Sequence, residues 1–173
     1  MSILLVIDMQ PQFKTSCRSW LIENVSREIR RAIDNGDGII FLEYTWGVGC
    51  GGVAINQQTH RALTDLVVGE EHAVALVVHK EQDDGSREVS HAIKYWREHK
   101  STIRVVGVNK GACVCDTVLG LSQLLPDTRI IVVGDACNGQ YEEDTDEPSE
   151  SGYESIGGSN TKIELPTQSY SVG

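Results

Sequence analysis

The sequence predicts a three-layer α/β/α domain built on a mostly parallel sheet of five or six strands. Two observations carry that expectation. Short apolar runs rich in β-branched residues recur along the chain, and stretches with helical periodicity lie between them. Since the intervening connections run to a dozen residues or more, right-handed crossovers must join the strands, which puts helices on both faces of a parallel sheet.

Taken in order, Ile3 to Ile7 is an uninterrupted apolar run and reads as a strand covered on both faces. From Trp20 to Ile33, Leu21, Val25, Ile29 and Ile33 fall four residues apart and draw one apolar stripe along a helix, which Asn35-Gly36 ends. Gly38 to Leu42 is the second strand, and Ala62, Leu63 and Leu66 mark a short helix. The run Ala73 to Val78 reads as a third strand, again covered on both faces, followed by a helix through Val89, Ala92, Ile93 and Trp96 ending near His99-Lys100. Thr102 to Val106 gives a fourth strand. A helix from about Ala112 to Leu125, closed by Pro126, and a fifth strand from Arg129 to Val133 follow. Thr161 to Leu165 and Gln168 to Val172 are candidate edge strands.

The 173 residues carry 15 basic and 25 acidic side chains, a formal charge of -10. That sign is wrong for wrapping a phosphate backbone, and nucleic acid is excluded as an expected partner. No apolar run approaches the roughly 18 residues of a membrane span, and the opening residues lack the basic stretch of a signal peptide, so a cytoplasmic protein with no membrane partner is expected. Five cysteines, at 17, 50, 113, 115 and 137, form an odd set, which argues against a disulfide framework. Six acids between Glu142 and Glu150 precede Ser/Gly-rich sequence, the composition of a solvated or mobile loop.

Ligands of open parallel sheets bind outside the carboxyl ends of the strands, where the strand-to-helix loops face one cavity. Three chemically capable residues fall there. Asp8 follows the first strand, Lys80 the third, and Cys113 stands after the fourth, at the start of a helix. Taken singly, an acid at a strand end is a helix cap, a lysine a solvated charge and a cysteine a small core residue. Together they supply a base, a cation and a nucleophile. A thiol at a helix N-terminus beside an ammonium is expected to be acidified by both, and a carboxylate can take its proton.

The pieces Leu5-Val6-Ile7-Asp8-Met9-Gln10-Pro11-Gln12-Phe13, Lys80, the Gly107 to Thr117 segment with Cys113-Val114 inside it, and Asp135-Ala136-Cys137 resemble the isochorismatase-like cysteine hydrolase superfamily, which includes nicotinamidases and N-carbamoylsarcosine amidohydrolases. The resemblance runs from residue 3 to about 138 of a single domain spanning 1–173, with an acidic and Gly/Ser-rich loop over 139–160 and a divergent tail over 161–173. It implies a Rossmann-like sheet with the first strand near its centre. It also implies that Cys113 is the nucleophile, Asp8 the general base and acid, and Lys80 the cation beside both. A cis peptide between Val108 and Asn109, and an oxyanion hole from the backbone N–H groups of Asn109 and Cys113, are further implications. Because members acting on isochorismate typically lack this cysteine, Cys113 points to cleavage of a carbon–nitrogen bond in a small amide, carbamoyl or ureido substrate. The family commonly forms dimers or larger homo-oligomers, and association is expected here.

Several positions depart from the family pattern. Metal-dependent nicotinamidases carry Asp-x-His after the second strand, where this chain has Glu43-Tyr44-Thr45-Trp46-Gly47. No metal site is evident and no cofactor is called for. After Lys80, where the family often has a small residue and then Phe, stands Glu81-Gln82-Asp83-Asp84-Gly85. Phe13, Tyr44 and Trp46 are candidate walls for a planar substrate. Cys115 lies about 200° around the helix from Cys113 and is read as inert.

Two other readings remain open. Gly47-Val48-Gly49-Cys50-Gly51-Gly52 matches the Gly-x-Gly-x-x-Gly form of a nucleotide-binding loop, but it follows the second strand and sits several residues past it. A non-catalytic binding protein on the same fold is the other, and the intact Asp8, Lys80 and Cys113 weigh against it.

Overall fold

The computed structural model describes residues 2–45, 58–96, 102–139 and 144–165. Strands β1 (Ile3–Ile7), β2 (Gly38–Tyr44), β3 (Val74–Lys80), β4 (Thr102–Gly107), β5 (Arg129–Cys137) and β6 (Thr161–Glu164) alternate with helices α1 (Ser19–Asp34), α2 (Arg61–Thr64), α3 (Ser86–Tyr95) and α4 (Cys115–Leu124). The strands form one sheet in the order β3-β2-β1-β4-β5-β6. All five neighbouring pairs are parallel.

β1 runs through the middle and shows why the chain folds this way. Its alternate residues serve two cores: Ile3, Leu5 and Ile7 pack with Val89, Val118 and Leu121 of α3 and α4. Leu4 and Val6 pack with Leu21, Val25 and Ile29 of α1 and with Leu63 of α2. All five β1 residues are at most 2% exposed, and each buried aliphatic side chain of this kind contributes about 1.5–3 kcal/mol. From β1 the order runs outward to β2 and β3 on one side and to β4, β5 and β6 on the other. This reversal opens a crevice at the carboxyl ends of β1 and β4, the usual place for a ligand.

The expected edge strand at Thr161 is β6. Gln168 to Val172, and the end of the third helix at His99-Lys100, lie outside the described residues. Two expectations need correction. β3 is not covered on both faces: as the terminal strand it leaves Val74 46% and Val77 53% exposed. The acidic segment is not simply solvated, since its described part is tied to the start of α1. Arg18 pairs with Asp144 and Asp146, Trp20 Nε1 donates to Thr145 O at 3.1 Å, and Asn138 Nδ2 donates to Asp144 Oδ1 at 2.9 Å. The charges that composition assigned to solvent have a cationic partner 126 residues away in sequence.

No helix among the described residues is long and apolar enough to cross a membrane.

Candidate active site

The β1/β4 crevice is shaped by backbone conformations that few residues tolerate. Gly107 ends β4 with φ +136°, and a Cβ there would stand 2.1 Å from Ile7 O. Only glycine lets the two strand ends close so tightly. Asp8 and Asn109 both adopt positive φ, 53° and 62°. Asparagine and aspartate tolerate this region better than most residues, and such positions cluster at functional sites. The expected cis bond between Val108 and Asn109 is absent: the described peptides are all trans, and the chain turns through the left-handed conformation of Asn109 instead. Residues Lys110–Val114 then form a π-helical turn leading into α4. Cys113 therefore sits in a widened turn just before the regular helix, not inside its first turn. Such π turns occur frequently at functional sites.

The three candidate catalytic side chains converge there. Lys80 Nζ lies 3.2 Å from Asp8 Oδ2, and both side chains are fully buried. Asn109 Nδ2 bridges to the thiol, 3.4 Å from Asp8 Oδ2 and 3.7 Å from Cys113 Sγ. Lys80 Nζ also donates to Asp83 O at 2.9 Å. Asp8 Oδ1 is buried and has no hydrogen-bond partner among the described residues.

Burial pushes the Asp8 carboxyl above its ordinary range, and the positive charge of Lys80 opposes this without cancelling it. Burial also pushes the Cys113 thiol up, and the Asp8 charge pushes it further, against Lys80. The expectation of an acidified thiol is overturned. A dipole and one ammonium do not outweigh desolvation plus a carboxylate already paired with that ammonium. Both groups therefore hold a proton more tightly than a free carboxyl or thiol does.

Of the expected substrate walls, Phe13 and Tyr44 meet edge to face with ring centroids 6.2 Å apart, and the Tyr44 ring lies 5.0 Å from Lys80 Nζ. Gln10 holds Tyr44 in place, accepting from its N–H at 2.7 Å and donating to its carbonyl at 3.1 Å. Trp46, Cys50 and the Gly47 to Gly52 motif lie outside the described residues. At the position of the family's Asp-x-His, Glu43 accepts from Thr59 N and Oγ1 and lies 3.4 Å from His79 Nε2. Among the described residues no group of three or more His, Cys, Asp or Glu side chains could hold a metal ion. Cys115 and Cys137 are buried, Cys115 donating to Ser155 O at 3.3 Å.

Three contributors were not anticipated. The Asn109 side chain bridges acid and thiol. Thr117 Oγ1 accepts from Gly85 N at 3.0 Å and donates to Asp83 O at 3.3 Å, fixing the turn after β3. That turn carries Asp83, whose Oδ1 accepts from Cys113 Sγ at 3.5 Å. The acids after Lys80 were visible in the sequence, but which of them turns inward depends on these contacts. An open cleft of about 500 Å³ borders the site at Lys80 and continues along Glu81, Asp84, Arg87 and Glu88.

No protein-family model matches the chain. A search of curated protein sequences also returns no match. Solved structures do match. The pyrazinamidase/nicotinamidase of Streptococcus mutans is 18% identical with a TM-score of 0.65, over 83% of this chain and 91% of that one. An isochorismatase from Pseudomonas putida is 15% identical with a TM-score of 0.67, over 95% and 87%. The N-carbamoylsarcosine amidase of Thermoplasma acidophilum is 14% identical with a TM-score of 0.64, over 95% and 96%. The chain shares the α/β fold of these structures.

Proposed function

We propose that the protein is a cysteine hydrolase that cleaves a carbon–nitrogen bond of a small amide, carbamoyl or ureido substrate. The observation that carries this reading is the fully buried Asp8–Lys80 pair, joined through Asn109 to Cys113 at the carboxyl ends of the strands. A buried charge pair is costly unless something else is gained by it, and perturbed ionisable groups in a cleft are expected at catalytic sites. Structural neighbours that are amidases on the same fold lend further support.

In the proposed reaction the Cys113 sulfur attacks the substrate carbonyl carbon as Asp8 takes the thiol proton. The raised proton affinity of Asp8 suits it to that step. Lys80 keeps its charge beside Asp8, and the backbone N–H groups of Asn109 and Cys113 are assigned to the oxyanion. The carbon–nitrogen bond then breaks, and Asp8 returns the proton to the departing ammonia or amine. Water attacks the resulting thioester, giving its proton to Asp8, and the carbon–sulfur bond breaks to release the acid and restore the thiol. Phe13 and Tyr44 flank the acyl group. A homo-oligomer accompanies this reading, with the half-exposed β3 edge at Val74 and Val77 available as a contact, and light scattering on the purified chain checks it.

The test is ammonia release from a panel of small primary amides, carbamoyl and ureido compounds. Cys113→Ala should lower the rate by at least about 10⁴-fold, as loss of a covalent nucleophile does. Turnover that survives Cys113→Ala would overturn the mechanism, and a folded wild-type protein inert to the whole panel would favour the non-catalytic reading.

A further inference from the structure

The carboxylate over the thiol has no task in the reaction just described. Asp83 Oδ1 is 3.5 Å from Cys113 Sγ, closer to the sulfur than the 3.7 Å of Asn109 Nδ2. Its position is built rather than incidental: Lys80 Nζ and Thr117 Oγ1 both donate to the Asp83 carbonyl. Gly85 lets the turn lie flat on Lys80, because a Cβ there would stand 2.6 Å from Leu42 Cδ2 and 2.9 Å from Lys80 Cδ. Lys80 Nζ itself faces Asp8 Oδ2 and the Asp83 carbonyl.

A substrate carbonyl carbon in attack geometry lies about 3–3.5 Å from the sulfur, which puts its substituents beside Asp83. An anionic group there would be repelled by the carboxylate, and a neutral one would offer it at most an uncharged donor. An ammonium or guanidinium would donate charge-assisted hydrogen bonds to it. The flanking cleft adds three acids, Glu81, Asp84 and Glu88, against the cations Lys80 and Arg87, and Lys80 is already paired with Asp8.

We infer that Asp83 is a specificity-determining residue that selects amide or ureido substrates carrying a positive charge within about 5 Å of the scissile carbonyl. This rests on the hydrolase reading, so its test needs an arm independent of turnover.

The first arm compares kcat/KM for β-alaninamide with its neutral isostere butanamide and the anionic succinamate. The cationic amide should lead butanamide by about tenfold or more, the size of one charge-assisted hydrogen bond, with succinamate slowest. Asp83→Asn should collapse that ratio, and Asp83→Glu should recover part of it. The second arm measures labelling of Cys113 by trimethylammonioethyl and sulfonatoethyl methanethiosulfonates, read by peptide mass with Cys113→Ala as background. The thiolate forms a disulfide and methanesulfinate leaves, so no hydrolysis is required. Relative to the same reagents on a free small thiol, the cationic reagent should be favoured about tenfold in the wild type, and the preference should fall in Asp83→Asn.

Equal labelling by the two reagents, or an anionic preference, overturns the inference. So does an Asp83→Asn variant that slows all amides equally, which would mean that Asp83 acts on the thiol and not on the substrate. Cation-selective labelling without any amide turnover would retain the charge selection and remove the hydrolase reading instead.

Discussion

Replacing Asp8 with asparagine should make Cys113 more reactive toward a simple alkylating agent while abolishing its reaction with amides. Asn109 Nδ2 is 3.4 Å from the carboxylate and 3.7 Å from the sulfur, so the two acids are within about 7 Å of each other. At an effective dielectric of about 20, a carboxylate even at the outer limit of that distance costs a thiolate roughly 2.4 kcal/mol, or about fiftyfold in thiolate population at a given pH. A less basic thiolate is also a poorer nucleophile, with a Brønsted slope of about 0.4–0.5, which leaves a net gain of about tenfold in alkylation rate. The assay is the rate of iodoacetamide incorporation at Cys113, followed by mass spectrometry between about pH 6 and pH 9. Burial and Asp8 both push the wild-type thiol up, so its rate should still be climbing at the alkaline end. The Asp8→Asn profile should lie above it, because Lys80 is released to the sulfur. Amide hydrolysis should be lost, since Asp8 no longer takes the thiol proton and returns it to the leaving amine. An Asp8→Asn protein that folds normally but labels no faster than wild type would refute the claim that Asp8 holds the thiol in its neutral form.

Lys80→Met leaves Asp8 buried without its cation and should cost about 3–5 kcal/mol at neutral pH by denaturant unfolding. The sign of its pH dependence follows from the native carboxyl, already raised and raised further without Lys80. The penalty is fully present above that native pKa and fades as acid protonates Asp8, so the stability gap to wild type should narrow on acidification. Gly107→Ala should lower stability by at least about 3 kcal/mol, or prevent soluble expression, because the new Cβ meets Ile7 O at 2.1 Å and φ is +136°. Thermal melting checks this, and a melting temperature within about 2 °C of wild type would contradict the packing described for the β1/β4 crevice. Tyr44→Ala should raise KM more than it lowers kcat if the ring is a wall and not a reacting group; steady-state kinetics on the best amide decides.

The parts of this molecule that could be read in one dimension are those whose physics is periodic. Ile3 to Ile7 and Ile130 to Val133 announce buried strands because every residue is apolar, and the four-residue step from Leu21 to Ile33 announces α1 because one face must be covered. The same reasoning misjudges β3: an apolar run reports what a strand would bury and is silent on whether it becomes the sheet's last strand. Asp8, Lys80 and Cys113 could be placed together because strand ends converge in any parallel sheet, so their meeting follows from topology. Their electrostatics does not. A cysteine before a helix suggests an acidified thiol, but the sign of the effect is set by burial and by a carboxylate 105 positions away in sequence, which the local pattern around residue 113 does not contain. Asp83 marks the same boundary from the other side. Four polar residues after Lys80 were plainly a departure from the family, yet only the grip of Lys80 and Thr117 on one carbonyl decides that the third of them faces the sulfur. Topology brings reactive groups to one rim, while the contacts of single backbone atoms settle their charge state and what they can select.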